Sequence, residues 1–363
     1  MGTIRRREFG QVLAATGLGL ATGTSRSEAA GRKEHRIPLG FDNYSIRALE
    51  WKAPRLIEYA AELELDSCLL SDLYVYDSHD ESYLGEIRAQ ANGAGIQLHV
   101  GTGSICPTSS SFKTDFGSAE EHLALTIRIA RILRSPVARC FLGSRQDRLG
   151  PEGIEPHMKS TVQVLRKLRG PALEAGVRIA IENHAGDMQA RETVRVIEEA
   201  GTDFVGATVD SGNATWSLED PVRNLEILGP YAASSGIRDS MVWEDESGAR
   251  VQWAAMGDGC VDLETYMERF ARLCPGVPIQ LETISGVQRS VPYLQRDFWN
   301  PYPAALAQDF AAFVALARRG TPLKPFAVPE DADAQKATAA FQKAELERSV
   351  RYCREVLGLG LKS

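Results

Sequence analysis

Residues 36–318 predict an α/β barrel of eight parallel strands, on three observations. Eight short runs are apolar at nearly every position, longer stretches with helical spacing separate them, and polar residues gather where the runs end. The runs are 37–41, 67–70, 96–100, 137–142, 177–181, 204–209, 232–237 and 278–281. Strands covered on both faces read as continuous apolar runs, because neither side meets water. The intervening stretches 52–63, 119–133, 158–173, 191–199 and 263–273 carry apolar residues three and four apart, the spacing of one helix face. Such alternation over roughly 250 residues favours a TIM (β/α)8 barrel over an open doubly wound sheet. No GxGxxG opens the first strand-helix unit and no GxxxxGK[ST] occurs, so neither nucleotide-binding signature is present.

The ends of the chain read differently. Residues 1–30 are expected to be an export signal of twin-arginine type. Arg6-Arg7 and Phe9 precede a weakly apolar, Gly- and Ala-rich stretch at 12–21, and Ser27-Glu28-Ala29-Ala30 offers a cleavage site. That stretch is shorter than the about 20 residues a spanning helix needs, so no stable membrane insertion is expected and the destination is periplasmic or secreted. After the eighth run, 287–303 is rich in aromatic residues and proline, and 304–317 reads as the closing helix. Residues 319–363 form a Pro-rich linker and then a charged amphipathic helix at 333–357. Its stripe of Phe341, Leu346, Val350, Cys353 and Val356 is expected to pack on the barrel or on a second subunit of a homo-oligomer.

A formal net charge of -7 over 363 residues gives no basic footprint for a phosphate backbone, which argues against a nucleic-acid partner. The six cysteines show no CxxC spacing, so a zinc knuckle is not suggested and buried thiols are expected.

In barrels the chemistry collects at the carboxyl ends of the strands. Here Glu182-Asn183-His184, Asp210-Ser211-Gly212-Asn213, Arg238-Asp239 and Glu282-Thr283 each follow an apolar run, and His99 closes the third. A carboxylate at such a tip points into the barrel mouth, where desolvation is costly unless a positive charge holds it. A divalent metal answers for Glu182 and Glu282, with Asp210 completing a three-carboxylate face. Oxygen ligands suit Mg²⁺ or Mn²⁺, and an added imidazole shifts the balance toward Mn²⁺, Co²⁺ or Zn²⁺. The chemistry that fits is proton abstraction beside a carbonyl. One Glu takes the proton, the metal stabilises the enediolate, and the second Glu returns it. His184 reads as a partner of the ligands or a contact to a sugar hydroxyl.

Ile181-Glu182-Asn183-His184, Thr208-Val209-Asp210-Ser211-Gly212-Asn213, Ile237-Arg238-Asp239-Ser240 and Gln280-Leu281-Glu282, in that order, resemble the xylose isomerase-like TIM barrel superfamily. Its members include sugar phosphate isomerase/epimerases, ketose 3-epimerases, inosose dehydratases and endonuclease IV. Met256-Gly257-Asp258-Gly259 with Asp262 resembles the family's Gly-rich turn between the seventh and eighth strands. The resemblance implies Glu182, Asp210 and Glu282 as ligands of a divalent ion, with Glu182 and Glu282 also the acid/base pair. His184, Asn213, His99, Arg238 and Asp239 are the candidates for substrate contacts. The family's fourth ligand, a histidine on the seventh strand, is Gly236 here, and no histidine follows His184.

Three outcomes stay open at that position. The three carboxylates hold the ion with extra waters, His184 or His99 replaces the imidazole, or the barrel binds a sugar without turning it over. The leading expectation is a metal-dependent isomerase or epimerase of an unphosphorylated sugar or sugar derivative. The alternatives are a lyase or dehydratase using the same enolate, and an exported sugar-binding barrel. The last would stack sugars on Trp243, Trp253, Tyr293, Phe298, Trp299 or Tyr302.

Overall fold

The computed structural model describes residues 36–362; the expected export signal at 1–30 lies outside them. Eight parallel strands form the barrel: β1 (Leu39–Asp42), β2 (Ser67–Leu70), β3 (Gln97–Ser104), β4 (Val137–Phe141), β5 (Arg178–Glu182), β6 (Val205–Asp210), β7 (Ala232–Gly236) and, after two further strands, β10 (Ile279–Leu281). Each pairs with the next in chain order, and β10 returns to β1 with Leu39 opposite Ile279. The ring is closed on the other side by Ile237, whose N–H donates to Gln280 O at 2.7 Å and whose carbonyl accepts from Glu282 N at 2.9 Å. Closure leaves no free sheet edge.

The interior of the ring is polar low down. Gly40 leaves the space in which Gln280 Nε2 donates to Ser67 Oγ at 3.0 Å, since a Cβ there would meet Gln280 Oε1 at 2.5 Å. The outer faces of the strands are apolar and bury Leu39, Phe41, Cys68, Leu70, Val100, Ile179, Ile181 and Val209 against the helix ring. Helix Ala119–Leu133 shows how the sequence sets such an element. Ser118 and Glu121 form a capping box, and Leu123, Ile127 and Ala130 turn inward at three- and four-residue spacing.

The expected helix at 158–173 is two helices, Glu155–Lys167 and Arg169–Ala175, interrupted at Leu168. Helices Glu81–Gly93 and Pro221–Leu228, not singled out in the sequence, complete further crossovers. The closing helix is Ala307–Ala317, and residues 320–330 carry no regular structure. The C-terminal helix spans Ala334–Glu355, and its Leu346, Val350 and Cys353 join the main core, whereas Phe341 of the expected stripe stacks on Phe326 and Val356, just past the helix, is 58% exposed. No helix among the described residues is long and apolar enough to cross a membrane.

The feature the sequence reading missed is an antiparallel sheet beside the barrel mouth. Strand β8 (Asp239–Asp245) continues from the seventh barrel strand and turns through residues 246–247 into β9 (Gly248–Ala254), which pairs with β11 (Gln288–Val291). Its signal was a two-residue connection before Gly248, whose φ of +147° suits glycine. This sheet and the closing helix bury a second core of Val242, Val251, Val291, Phe298, Tyr302 and Phe313.

Candidate active site at the barrel mouth

The strand tips bring Glu182, Asp210 and Glu282 together, with one carboxylate oxygen of each within 4.8 Å of the others, close enough for all three to touch one ion. Local hydrogen bonds fix them there. The Asn183 side chain bridges the tips of β5 and β6, donating from Nδ2 to Asp210 O and accepting from Asp210 N at Oδ1, both at 3.0 Å. Asp210 Oδ1 caps the short helix Ser211–Trp216 by accepting from Asn213 N at 2.7 Å. Asn213 Nδ2 in turn donates to Glu182 Oε1 at 3.0 Å.

Two buried arginines neutralise the cluster. Arg139 on β4 donates from Nε to Glu182 Oε2 at 2.5 Å and pairs with the same oxygen through Nη2. Arg238, just past β7, donates from one nitrogen, Nη2, to both Asp210 Oδ2 and Glu282 Oε2. A fourth carboxylate, Asp42 at the end of β1, accepts from Ser71 Oγ at 2.5 Å and Tyr44 N at 2.8 Å. Four carboxyls thus face two guanidiniums, and protons make up part of the difference. Burial, then the charge of Glu282, pushes Asp42 up to about 8. Burial likewise lifts Glu182 to about 7 and raises Asp210. Glu282 goes the other way: burial works against its charge, but the Arg238 and Arg139 guanidiniums outweigh it and hold the carboxyl below the ordinary range.

Above this floor opens a cavity of about 620 Å³, a size typical of small-molecule sites. Glu282, Arg139, Arg238, Asn213 and His184 line it; Glu182 and Asp210, 1% and 0% exposed, lie beneath. His184 stacks on Phe141 with ring centroids 3.7 Å apart, and its Nδ1 is 2.6 Å from Gly143 O. That carbonyl requires a proton on Nδ1, and burial lowers the imidazole to about 4, so the ring is neutral with Nε2 bare. Of the aromatic residues suspected of sugar stacking, only Trp253 is on the wall; Trp243, Tyr293, Phe298, Trp299 and Tyr302 do not line the cavity. Tyr74, Phe116, Phe141 and Trp216, which the sequence did not single out, are on it.

Asp239 does not line the cavity. Its carboxylate accepts from Gly257 N at 3.1 Å and Gly259 N at 2.9 Å and so holds the Gly-rich turn. His99 is also off the wall: it is buried within β3 at 3% exposure, and burial lowers it to about 4. Arg139 and Asp42 were missed; a basic residue inside the apolar run 137–142 was the available signal for the first.

The resemblance implies a divalent ion, and the described residues fit one only in part. Three carboxylates converge, but the fourth position is Gly236, where a Cβ would meet Asp210 Oδ2 at 2.9 Å and Glu282 Oε2 at 3.2 Å. Arg238 Nη2 stands between those two oxygens, both Asp210 oxygens are engaged, and both Glu182 oxygens accept hydrogen bonds. As arranged, the donor set does not fit an ion.

The profile of the xylose isomerase-like TIM barrel family matches residues 55–298. No curated protein sequence matches the chain. Among solved structures, a D-psicose 3-epimerase studied in the presence of D-fructose shares 16% identity over 89% of this chain and 100% of its own, with a TM-score of 0.56. A D-psicose 3-epimerase with D-tagatose from Clostridium cellulolyticum H10 is 16% identical, covering 88% of this chain and 99% of its own at a TM-score of 0.55. The IolI protein, solved with a zinc atom, is 15% identical over 79% of this chain and 100% of its own at 0.53. At these identities the likeness is one of fold.

Proposed function

The chain belongs to the xylose isomerase-like TIM barrel family, and from that premise we propose that it is an enzyme of sugar isomerase/epimerase type. In this reading it moves a proton at a carbon next to a carbonyl. The observation that carries the reading is Glu282: an ionised carboxylate in the wall of the cavity, flanked by two guanidiniums and a neutral imidazole. Two of the similar structures were solved with D-fructose and with D-tagatose, which agrees with a sugar as substrate.

Glu282 accepts the proton from the hydroxyl-bearing carbon, and the electron pair moves into the carbon–carbon bond as the carbonyl oxygen gains charge. The positive charges of the guanidiniums beside it stabilise that charge. His184 Nε2 accepts a hydrogen bond from a substrate hydroxyl. Glu182, lifted to about 7, lies below the floor as the second proton-holding group. Because only Glu282 of the pair faces the cavity, the proton returns on the face it left, to the former carbonyl carbon. The original hydroxyl gives its proton to the former carbonyl oxygen and becomes the new carbonyl. Aldose–ketose isomerisation needs that geometry, whereas epimerisation at one carbon needs a donor on the opposite face.

The metal dependence implied by the resemblance does not enter this reading, because Arg238 stands among the carboxylates. The planar rings of Tyr74 and Phe116 suit the apolar faces of a sugar. The export signal read at residues 1–30 favours an unphosphorylated sugar or sugar derivative outside the cytoplasm.

The test is deuterium exchange. Keto- and aldo-sugars are incubated in D₂O with the protein, with and without Mn²⁺, and followed by proton NMR and mass spectrometry. Exchange that disappears in Glu282→Gln is expected. A panel with no exchange, or exchange unchanged in the variant, sinks the proposal; loss of water from the product moves it to a dehydratase.

A further inference from the structure

We propose that the Arg238 guanidinium is the resident cation of this site, occupying the place that the family resemblance reserves for a divalent ion. The occupancy stands on geometry alone.

Four independent features put the side chain there. The seventh strand carries Gly236 in place of an imidazole, and Asp210 and Glu282 have closed over that space to within 2.9 and 3.2 Å of where its Cβ would be. Their facing oxygens then share a single donor, Arg238 Nη2. Gly212 supplies the channel for the arginine's stem, since a Cβ there would meet Arg238 Nε at 2.7 Å and the methylenes closer still. Arg238 is also pinned by its own backbone: its carbonyl accepts from Ser211 Oγ at 2.6 Å and its N–H donates to the same oxygen at 3.0 Å.

The fourth feature is the sheet outside the barrel. Trp253 of β9 lies over the Arg238 guanidinium at 4.3 Å and is tied down by Nε1 donating to Gly212 O at 2.9 Å. Trp216 stacks on Trp253 at 3.7 Å, and Arg289 of β11 covers Trp216 at 4.3 Å. Cation, indole, indole and cation thus form one column whose inner end is the site. A delocalised cation over an indole face is stabilised by the ring quadrupole, most strongly where water is excluded. An arginine that moved aside for an ion would have to break this column and two charge-assisted hydrogen bonds.

The same packing closes the guanidinium off: Arg238 is 1% exposed, and its Nη1 and Nε are buried with no hydrogen-bond partner among the described residues. The two carboxylates and the indole face are what hold the cation in place.

The experiment reads the ion rather than turnover. Full-length protein purified without chelator is analysed for metals and titrated with Mn²⁺ by calorimetry, and melting is followed with Mn²⁺ and with EDTA. No stoichiometric ion, no Mn²⁺ heat and no shift in Tm are expected. One tightly bound ion per chain, lost in Glu182→Gln, overturns the proposal whether or not any sugar exchanges deuterium. In Arg238→Ala a lower Tm is expected, partly restored by Mn²⁺. A variant as stable as the parent and indifferent to Mn²⁺ overturns it too. If that variant does not fold, Arg238→Lys keeps a charge in place and is expected to bind no ion; uptake of Mn²⁺ by the lysine variant counts against the proposal.

Discussion

Asp210 and Glu282, on strands 72 residues apart in sequence, accept from the same nitrogen of Arg238, so one side chain from a third strand tip holds both carboxylates at the barrel mouth. Neither carboxylate has that cation to itself, which ties their charges together. Burial raises Asp210 while Arg238 and Arg139 keep Glu282 ionised. The arrangement leaves one buried, charged acceptor facing a cavity.

Replacing Glu282 by Gln removes the base while keeping the shape. Exchange of substrate protons is expected to fall by about 100-fold or more, the usual range for a positioned general base, with far-UV circular dichroism unchanged. Glu182→Gln, below the floor, is expected to lower exchange less.

Trp253→Ala removes the ring that covers Arg238 and the donor to Gly212 O. Buried aromatic truncations cost about 3–5 kcal/mol, and that loss is expected in urea unfolding. Trp253→Phe keeps a ring face but loses the hydrogen bond, at a cost of about 1 kcal/mol.

Stability is expected to fall as pH rises. Glu182 and Asp42 titrate at about 7 and about 8 in the folded chain, above their ordinary values of 4.5 and 3.8, so the native state binds more protons than the unfolded one in between. Their contribution is complete below the ordinary values and is lost as pH passes through about 8. Denaturant midpoints measured across that interval check the sign; a midpoint that rises with pH contradicts the protonated reading of these carboxyls.

The C-terminal helix is part of the core rather than an appendage. Leu346 is 0% exposed against the barrel, so Leu346→Ala is expected to cost about 2–5 kcal/mol in urea unfolding. A loss under about 1 kcal/mol would mean that the helix is dispensable to the barrel's stability.

The barrel was legible because its strands are short-range signals: each apolar run lies within six residues or fewer, and the observed strands fall on all eight runs. Helices with strong periodicity, such as Ala119–Leu133 and Leu263–Leu273, were legible to the residue. Glu81–Gly93 was not: its apolar face is thin, with Leu84, Ile87 and Ala91 as the buried residues. The hairpin of β8 and β9 was hidden because Arg238-Asp239 read as a strand tip, and its one local mark is the two-residue connection before Gly248.

The sequence by itself determined the closed ring, the order of its elements and the set of strand tips at which Glu182, Asp210 and Glu282 meet, because burial on both faces of a strand is written in consecutive residues. Only the tertiary structure decided what neutralises those carboxylates. Arg139 and Arg238 come from different strands, and Gly212, Gly236 and Trp253 shape the path of Arg238 from three more places in the chain. Charge compensation depends on through-space distance in a medium that screens little, and no local pattern encodes that distance.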